Sequence, residues 1–521
     1  MRYLSGGTKR EASLTNCKSL HQQRVRFVLA KNPLIGEILE KYRVVWALDH
    51  SMAVLEWDME THMPESGAGS RGAASGQLAK MVQKATVDLG GLVSKAEKLR
   101  DLDDEEKGIV RVLRRDLDFF TKIPPELLEE RERVTNEATV VWRKARKNSE
   151  FKLFEPHLEK ILELTRKVAD CLGYAKHPYN ALLNLYEEGF TVRDADEVFS
   201  RLVPSTKKII DKVTSAGVYP HRHPLESARY DMDAMVRVNE GLLQMLEMPK
   251  DRFKMDISTH PFTIGIAPDD VRITTRYEGV NFKSTLFSTI HESGHALYDL
   301  QLGDRLRFTP VAHRTSTALH ESQSRFWENV VGRSREFTKL VNPLLKKNLP
   351  FVARYSPEQL YLYFNTVRTS PIRVDADELT YNLHIALRYE IEKKMLNGDV
   401  SVSELPEVWD DTFENYLGMR PKNDAEGVLQ DVHWSGGELG YFPTYSLGNV
   451  VLGMIWHKMG DGELVRKSVG KGDLMKLRRW LQVNIHRWGA VYSPKDLQMT
   501  LFGEAYNPDS LIRYYETKFL A

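Results

Sequence analysis

Along most of the chain, apolar side chains recur at three- and four-residue steps, the period of one face of an α-helix. Phe154, Leu158, Ile161, Leu162, Thr165 and Val168 follow this rule, and Gly173 stands where such a helix would stop. Comparable stripes run through 33–56, 78–100, 105–120, 193–215, 376–396 and 475–490, separated by short Gly/Pro/Asn turns. With no low-complexity linker and no internal repeat between them, the pattern predicts a mainly α fold: one helical body over residues 34–521. A different period appears between Phe262 and Phe282. There Val271, Ile273 and Thr275 alternate with Arg272, Thr274 and Arg276 ahead of a Glu278-Gly279 turn, which predicts a small strand or hairpin. Residues two apart share a strand face, so Asp270, Arg272 and Thr274 are expected to point the same way.

Composition changes the picture by exclusion. The 73 basic and 72 acidic residues nearly cancel, which argues against nucleic acid or a membrane surface as partner and favours small or neutral ones. Only Cys17 and Cys171 are present, too few for a disulfide framework or a cysteine-rich zinc ribbon, and a reducing, cytoplasmic setting is expected. No run of about 18 apolar residues predicts a membrane span. Residues 1–33 differ from the rest: seven Lys/Arg stand against Glu11 alone, leaving 66 basic and 71 acidic residues elsewhere. This stretch reads as a disordered basic extension or a non-native start, with a transit peptide as the alternative.

Candidate chemistry concentrates in Ser288 to Leu300, STIHESGHALYDL. Positions four apart are one helical turn apart on one face, so His291 and His295 can aim imidazole nitrogens at the same ion. Glu292, beside the first of them, can take a proton from a metal-bound water. Leu286, Phe287, Ile290 and Leu297 supply an apolar face, and Ser284 can cap the helix start. A catalytic zinc takes three protein ligands and leaves a position open. Residues 318–328, ALHESQSRFWE, offer Glu321 as the third ligand, with His320 available to support a ligand or an oxyanion; a plain helix with surface His and Glu is the blander reading.

Together with HPF at His260 to Phe262, DVRIT at Asp270 to Thr274, HESQ at His320 to Gln323, IRVDAD at Ile372 to Asp377 and GVLQDVHW at Gly427 to Trp434, this segment resembles the Taq-type family of thermostable metallocarboxypeptidases. Looser similarity runs from about Ile38 to the end of the chain, leaving only the basic tail aside. The resemblance implies a two-lobed helical body with a deep cleft and the metal at its floor, usually a homodimer, acting on peptides with a free C-terminus. It implies His291, His295 and Glu321 as ligands of one divalent ion, zinc first, with cobalt or manganese compatible with the same donors, and Glu292 as general base.

Further roles follow for a carboxypeptidase that releases single residues with broad tolerance. Oxyanion donors are sought in the Gly-rich segment DVHWSGGELGYFPTY: His433, Tyr441 and Tyr445, the two tyrosines having core packing as their alternative. Tyr445 has a spacing from His433 similar to that of the oxyanion tyrosine of related helical peptidases. A planar guanidinium suits the substrate's terminal carboxylate, and Arg373 and Arg272 are the candidates. Their alternatives are an ion pair opening the 376–396 helix for Arg373 and a salt bridge to Asp270 for Arg272. His260 lines the cleft or simply occupies a turn, and His221 to His223 read as an exposed loop. Asp375 and Asp377 complement a helix dipole and do not predict a second metal. Two other functions stay open: an endopeptidase or dipeptidase on the same chemistry, and a helical peptide-binding protein with a structural metal.

Overall fold

The computed structural model describes residues 30–520; most of the 1–33 stretch read as a basic extension, and Cys17 with it, lies outside them, and at its described end Pro33 already opens the first helix. Helices dominate, as the apolar period predicts, with one small three-stranded sheet. The stripe beginning at Phe154 forms the helix Glu155–Leu172, which buries Leu158, Ile161, Leu162, Thr165 and Val168 and ends against Gly173 at φ 82°. Two apolar cores result. A large one holds most of the body; a smaller one gathers Ile35, Ile38, Leu113 and Leu117 from the early helices with Leu306, Val311 and Val491 from later segments. No helix among the described residues is long and apolar enough to cross a membrane.

Several boundaries differ from the sequence reading. The 78–100 stripe is two helices, Ala68–Val87 and Gly90–Ala96, broken at Asp88-Leu89. The helix expected over 376–396 starts only at Tyr381, because the Asp377 carboxylate accepts from the backbone N–H groups of Leu379 and Thr380 and holds a turn there. The sheet is larger than a hairpin. β1 (Phe253–Ile257) pairs parallel to β3 (Asp270–Thr275), and β2 (Thr263–Ala267) pairs antiparallel to β3. The hairpin turn lies at 268–269, not at Glu278-Gly279, which leads into the HESGH helix.

That helix runs Phe282–Leu300. Its cap is Asn281, left-handed at φ 52°, and not Ser284, which sits inside the first turn. Leu286, Phe287, Ile290 and Leu297 are buried as predicted, and so are Ser293 and Gly294, the latter directly against the HESQ helix (Thr317–Arg325). The sheet covers another flank through contacts from β2 and β3.

Candidate metal centre and catalytic cleft

His291 and His295 stand one turn apart with ring centroids 5.0 Å from each other. Their Nε2 atoms lie 3.7 and 3.3 Å from the same Glu321 oxygen, Oε2. Donors about 2.1 Å from one tetrahedral ion stand about 3.4 Å apart, so this trio fits a single divalent cation without rearrangement. His291, His295 and Glu321 are also the one His/Cys/Asp/Glu group among the described residues close enough to share an ion.

Neighbouring charges aim these donors. Arg325 Nε donates to Glu321 Oε1 at 2.8 Å, which leaves Oε2 facing the imidazoles. Against the burial that would raise it, Arg325 and His291 hold the Glu321 carboxyl well below its ordinary range. His291 Nδ1 lies 3.0 Å from Glu328 Oε2, and a proton shared there leaves the Nε2 lone pair for a metal. Glu328 is fixed in turn by Arg325 at 3.3 Å and Arg333 at 2.7 Å. The last contact depends on backbone geometry: Phe326–Gly332 is a π-helix, in which residues five apart are stacked, so Arg333 comes over Glu328.

Glu292 is buried beside the first ligand, and Thr263 Oγ1 on β2 donates to its Oε2 at 2.7 Å. The sheet thus orients the candidate base, a role for Thr263 that follows HPF in the sequence yet was not foreseen. His320 stacks on His295 at 4.2 Å with its Nε2 3.5 Å from Asp299.

On the other side of the trio, Tyr445 stands in the first turn of the helix Pro443–Lys458, its hydroxyl 3.3 Å from His433 Nε2 and its ring 5.2 Å from Tyr441. Burial pushes Tyr441 up to about 12 and Tyr445 well above the phenol range, with the Glu321 charge contributing to both. Both remain O–H donors near neutral pH. Burial draws His433 down to about 4, so its imidazole is neutral there.

Arg373 is buried and paired, but with Asp431, not Asp375 or Asp377: its Nε reaches Oδ1 at 2.9 Å, while Arg388 Nε takes Oδ2 at 2.7 Å. Its guanidinium lies 5.3 Å over the Tyr445 ring, and N–H groups on Nη1 and Nη2 remain beyond the bonds to Asp431 and Tyr381. Arg373, His291 and Glu292 line one cavity of about 1090 Å³. Arg272 and His260 do not. Arg272 makes a bidentate pair with Asp270 at 2.7 and 2.6 Å, as the shared strand face allowed, and lies over Trp57; His260 is an exposed turn residue whose carbonyl accepts from Ser258. Within the expected HRH loop, His223 is half-buried and accepts from Leu225 N–H.

Comparison with known proteins gives this geometry a context. The profile of the family described as carboxypeptidase Taq (M32) metallopeptidase matches residues 37–519. The thermostable carboxypeptidase 1 of Pyrococcus furiosus is 44% identical over 94% of this chain and 99% of its own, and carboxypeptidase 1 of Bacillus subtilis is 33% identical over 90% and 94%. The solved structure of the Pyrococcus furiosus carboxypeptidase in an apo-Mg form superposes with a TM-score of 0.92 at 43% identity, covering 94% of this chain and 99% of that one. Metallocarboxypeptidase 1 of Trypanosoma cruzi superposes at 0.88 with 32% identity, covering 94% and 100%.

Proposed function

This chain belongs to the carboxypeptidase Taq (M32) metallopeptidase family, and from that premise we propose that it removes single residues from free peptide C-termini with broad tolerance, using zinc held by His291, His295 and Glu321. The observation that carries the reading is the convergence of both imidazole Nε2 atoms on Glu321 Oε2, with Glu292 and Arg373 facing the adjoining cavity. Two imidazoles and a carboxylate at this spacing suit zinc, although cobalt and manganese accept the same donors. An ion bound there acts as a Lewis acid toward the scissile carbonyl and makes the attacking water more acidic.

The protein's own groups do the rest. Glu292, held by Thr263, takes the water's proton on a carboxylate oxygen and passes it to the leaving amine. Tyr445, protonated and braced by His433, donates its O–H to the developing oxyanion, with Tyr441 beside it. Arg373, steadied by Asp431, offers its remaining N–H groups to the terminal carboxylate. The cavity of about 1090 Å³ beside the trio supports breadth of side-chain tolerance.

Mass spectrometry of a short peptide incubated with metal-stripped protein resupplied with zinc or cobalt tests the reading. A metal-dependent ladder of single-residue losses from the free C-terminus is expected, and amidation of that terminus should stop it. Undiminished cleavage of the amidated peptide would instead support an endopeptidase or dipeptidase. Glu292→Gln should keep its metal, measured by elemental analysis, and lose about 10²–10⁴-fold in turnover.

A further inference from the structure

Two side chains of the helix Tyr381–Asn397 meet the segment that carries the candidate oxyanion donors. Arg388 and Glu392 stand one turn apart on one face, and both are fully buried. Arg388 holds Asp431, the partner of Arg373, while Glu392 reaches the next stretch, 434–440. Resting on the carboxypeptidase reading, we propose that Glu392 is a positioning residue for turnover: its carboxylate pins both ends of this stretch and thereby sets where His433, Tyr441 and Tyr445 stand relative to the metal trio.

Glu392 Oε1 accepts from Trp434 Nε1 at 2.8 Å, and Oε2 accepts from the Gly440 N–H at 2.9 Å and from the Tyr179 hydroxyl. Trp434 directly follows His433, and Gly440 directly precedes Tyr441. The Trp434 ring packs edge-on against Trp409, and Gly440 is left-handed at φ 96°, where a Cβ would stand 3.0 Å from Leu182. Between the two ends Arg131 Nη2 donates to the Gly437 carbonyl at 2.7 Å. From His433 the placement passes on to Tyr445, whose hydroxyl lies 3.3 Å from Nε2, and Tyr441 packs against the Tyr445 ring.

The contact calls for a carboxylate. All three neighbours present N–H or O–H groups, and only an ionised carboxyl offers acceptors on both oxygens with no hydrogen of its own. Among the described residues no Lys or Arg forms an ion pair with Glu392; Arg388, one turn away, is engaged by Asp431. Burying a charge in this way is costly and adds less to stability than apolar packing would, so stability gives no reason for it, whereas holding two ends of a loop in register does. In Glu392→Gln the amide NH2 must face either Trp434 Nε1–H or the Gly440 N–H, whichever way it lies, so one end of the stretch is released.

Steady-state kinetics on a peptide with a free C-terminus tests this at pH 8, above the value of about 7 to which burial raises Glu392 against its three donors and Arg388. Glu392→Gln should lower kcat by about 10- to 100-fold, the scale of a displaced catalytic group. KM and zinc content, the latter from elemental analysis, should stay as they are. Binding of a peptide phosphonate, a tetrahedral anion resembling the transition state, should weaken by the same factor as kcat. Should Glu392→Gln not fold, Trp434→Phe removes one of the two loop donors and is expected to show the same signature. Native kcat in either folded variant overturns the proposal, as does a joint loss of turnover, substrate affinity and zinc, the mark of a general structural role. Tyr445→Phe separates this from failure of the underlying reading. A slow Tyr445→Phe enzyme beside a native Glu392→Gln rejects the role of Glu392 alone. Native turnover in Tyr445→Phe rejects the oxyanion assignment, an unaltered enzyme that leaves the peptide intact rejects the carboxypeptidase reading, and either takes the role of Glu392 with it.

Discussion

Glu328 is not one of the three candidate ligands, yet through its contact with His291 Nδ1 its carboxylate decides which nitrogen of His291 faces the site. Partners of this kind typically contribute 10–100-fold to metal affinity. Glu328→Gln is therefore expected to weaken zinc binding by about that factor, read by competition with a chromogenic chelator; an unchanged affinity would leave Glu328 a purely structural ion-pair partner. The paired histidines of the candidate metal site were legible in the sequence, because His291 and His295 need only a helix to share a face. Arg272 with Asp270 was legible for a similar reason, being two apart on a strand. The Asp431 partner of Arg373 was not, since 58 positions separate them and only the folded chain brings them together. Glu328 stood inside the helical stretch chosen for Glu321, but nothing local distinguishes a carboxylate that orients a histidine from one that faces solvent.

The HESGH and HESQ helices meet without a spacer. A Cβ added at Gly294 would lie 2.6 Å from Ser324 Cα and 2.7 Å from the Gln323 carbonyl, backbone atoms that cannot swing aside. On the far flank of the HESQ helix, a Cβ at Gly448 would lie 2.8 Å from Glu321 Cγ. Glu321, the proposed third ligand, is thus pressed between two helices at glycines. Gly294→Ala should push Glu321 away from the imidazoles and cost about 1–3 kcal/mol of stability as overpacking. Thermal unfolding with and without zinc would measure this, and a variant with native Tm and native zinc retention would refute it. Helix positions were readable from period alone, whereas strand β1 was not: FKMDI is short, half-exposed, and defined by a parallel partner 18 residues later. The π-helix was equally hidden, because its register shows only in which side chains stack.

Two buried carboxyls tie the body together far from solvent. Glu187 accepts from Tyr506 Oη at 2.6 Å and from Ala318 N–H in the first turn of the HESQ helix; Glu392 accepts from Trp434 Nε1 and Gly440 N–H at 2.8 and 2.9 Å. Burial raises both from 4.5 to about 7. Between those values the folded carboxyl keeps a proton that the unfolded one has released. Stability is therefore greatest below the window and falls as pH rises through it, by on the order of 3 kcal/mol for each group. Glu187→Gln should remove about half of the resulting decline in Tm between pH 5 and 8; a Tm that does not fall over this range in the unaltered protein would refute the assignment.

The HESQ helix rests on the helix Pro443–Lys458, and that helix rests on Pro508–Phe519. A ribosome releases both histidines and Glu321 well before the segment that finally braces them has been translated. Metal loading is thus expected to follow synthesis, so that the ion acquired reflects the supply met by the finished chain. Translation stalled before residue 508 provides the check: such chains should retain no zinc through gel filtration, and firm retention would mean that the site matures while the polypeptide is still growing.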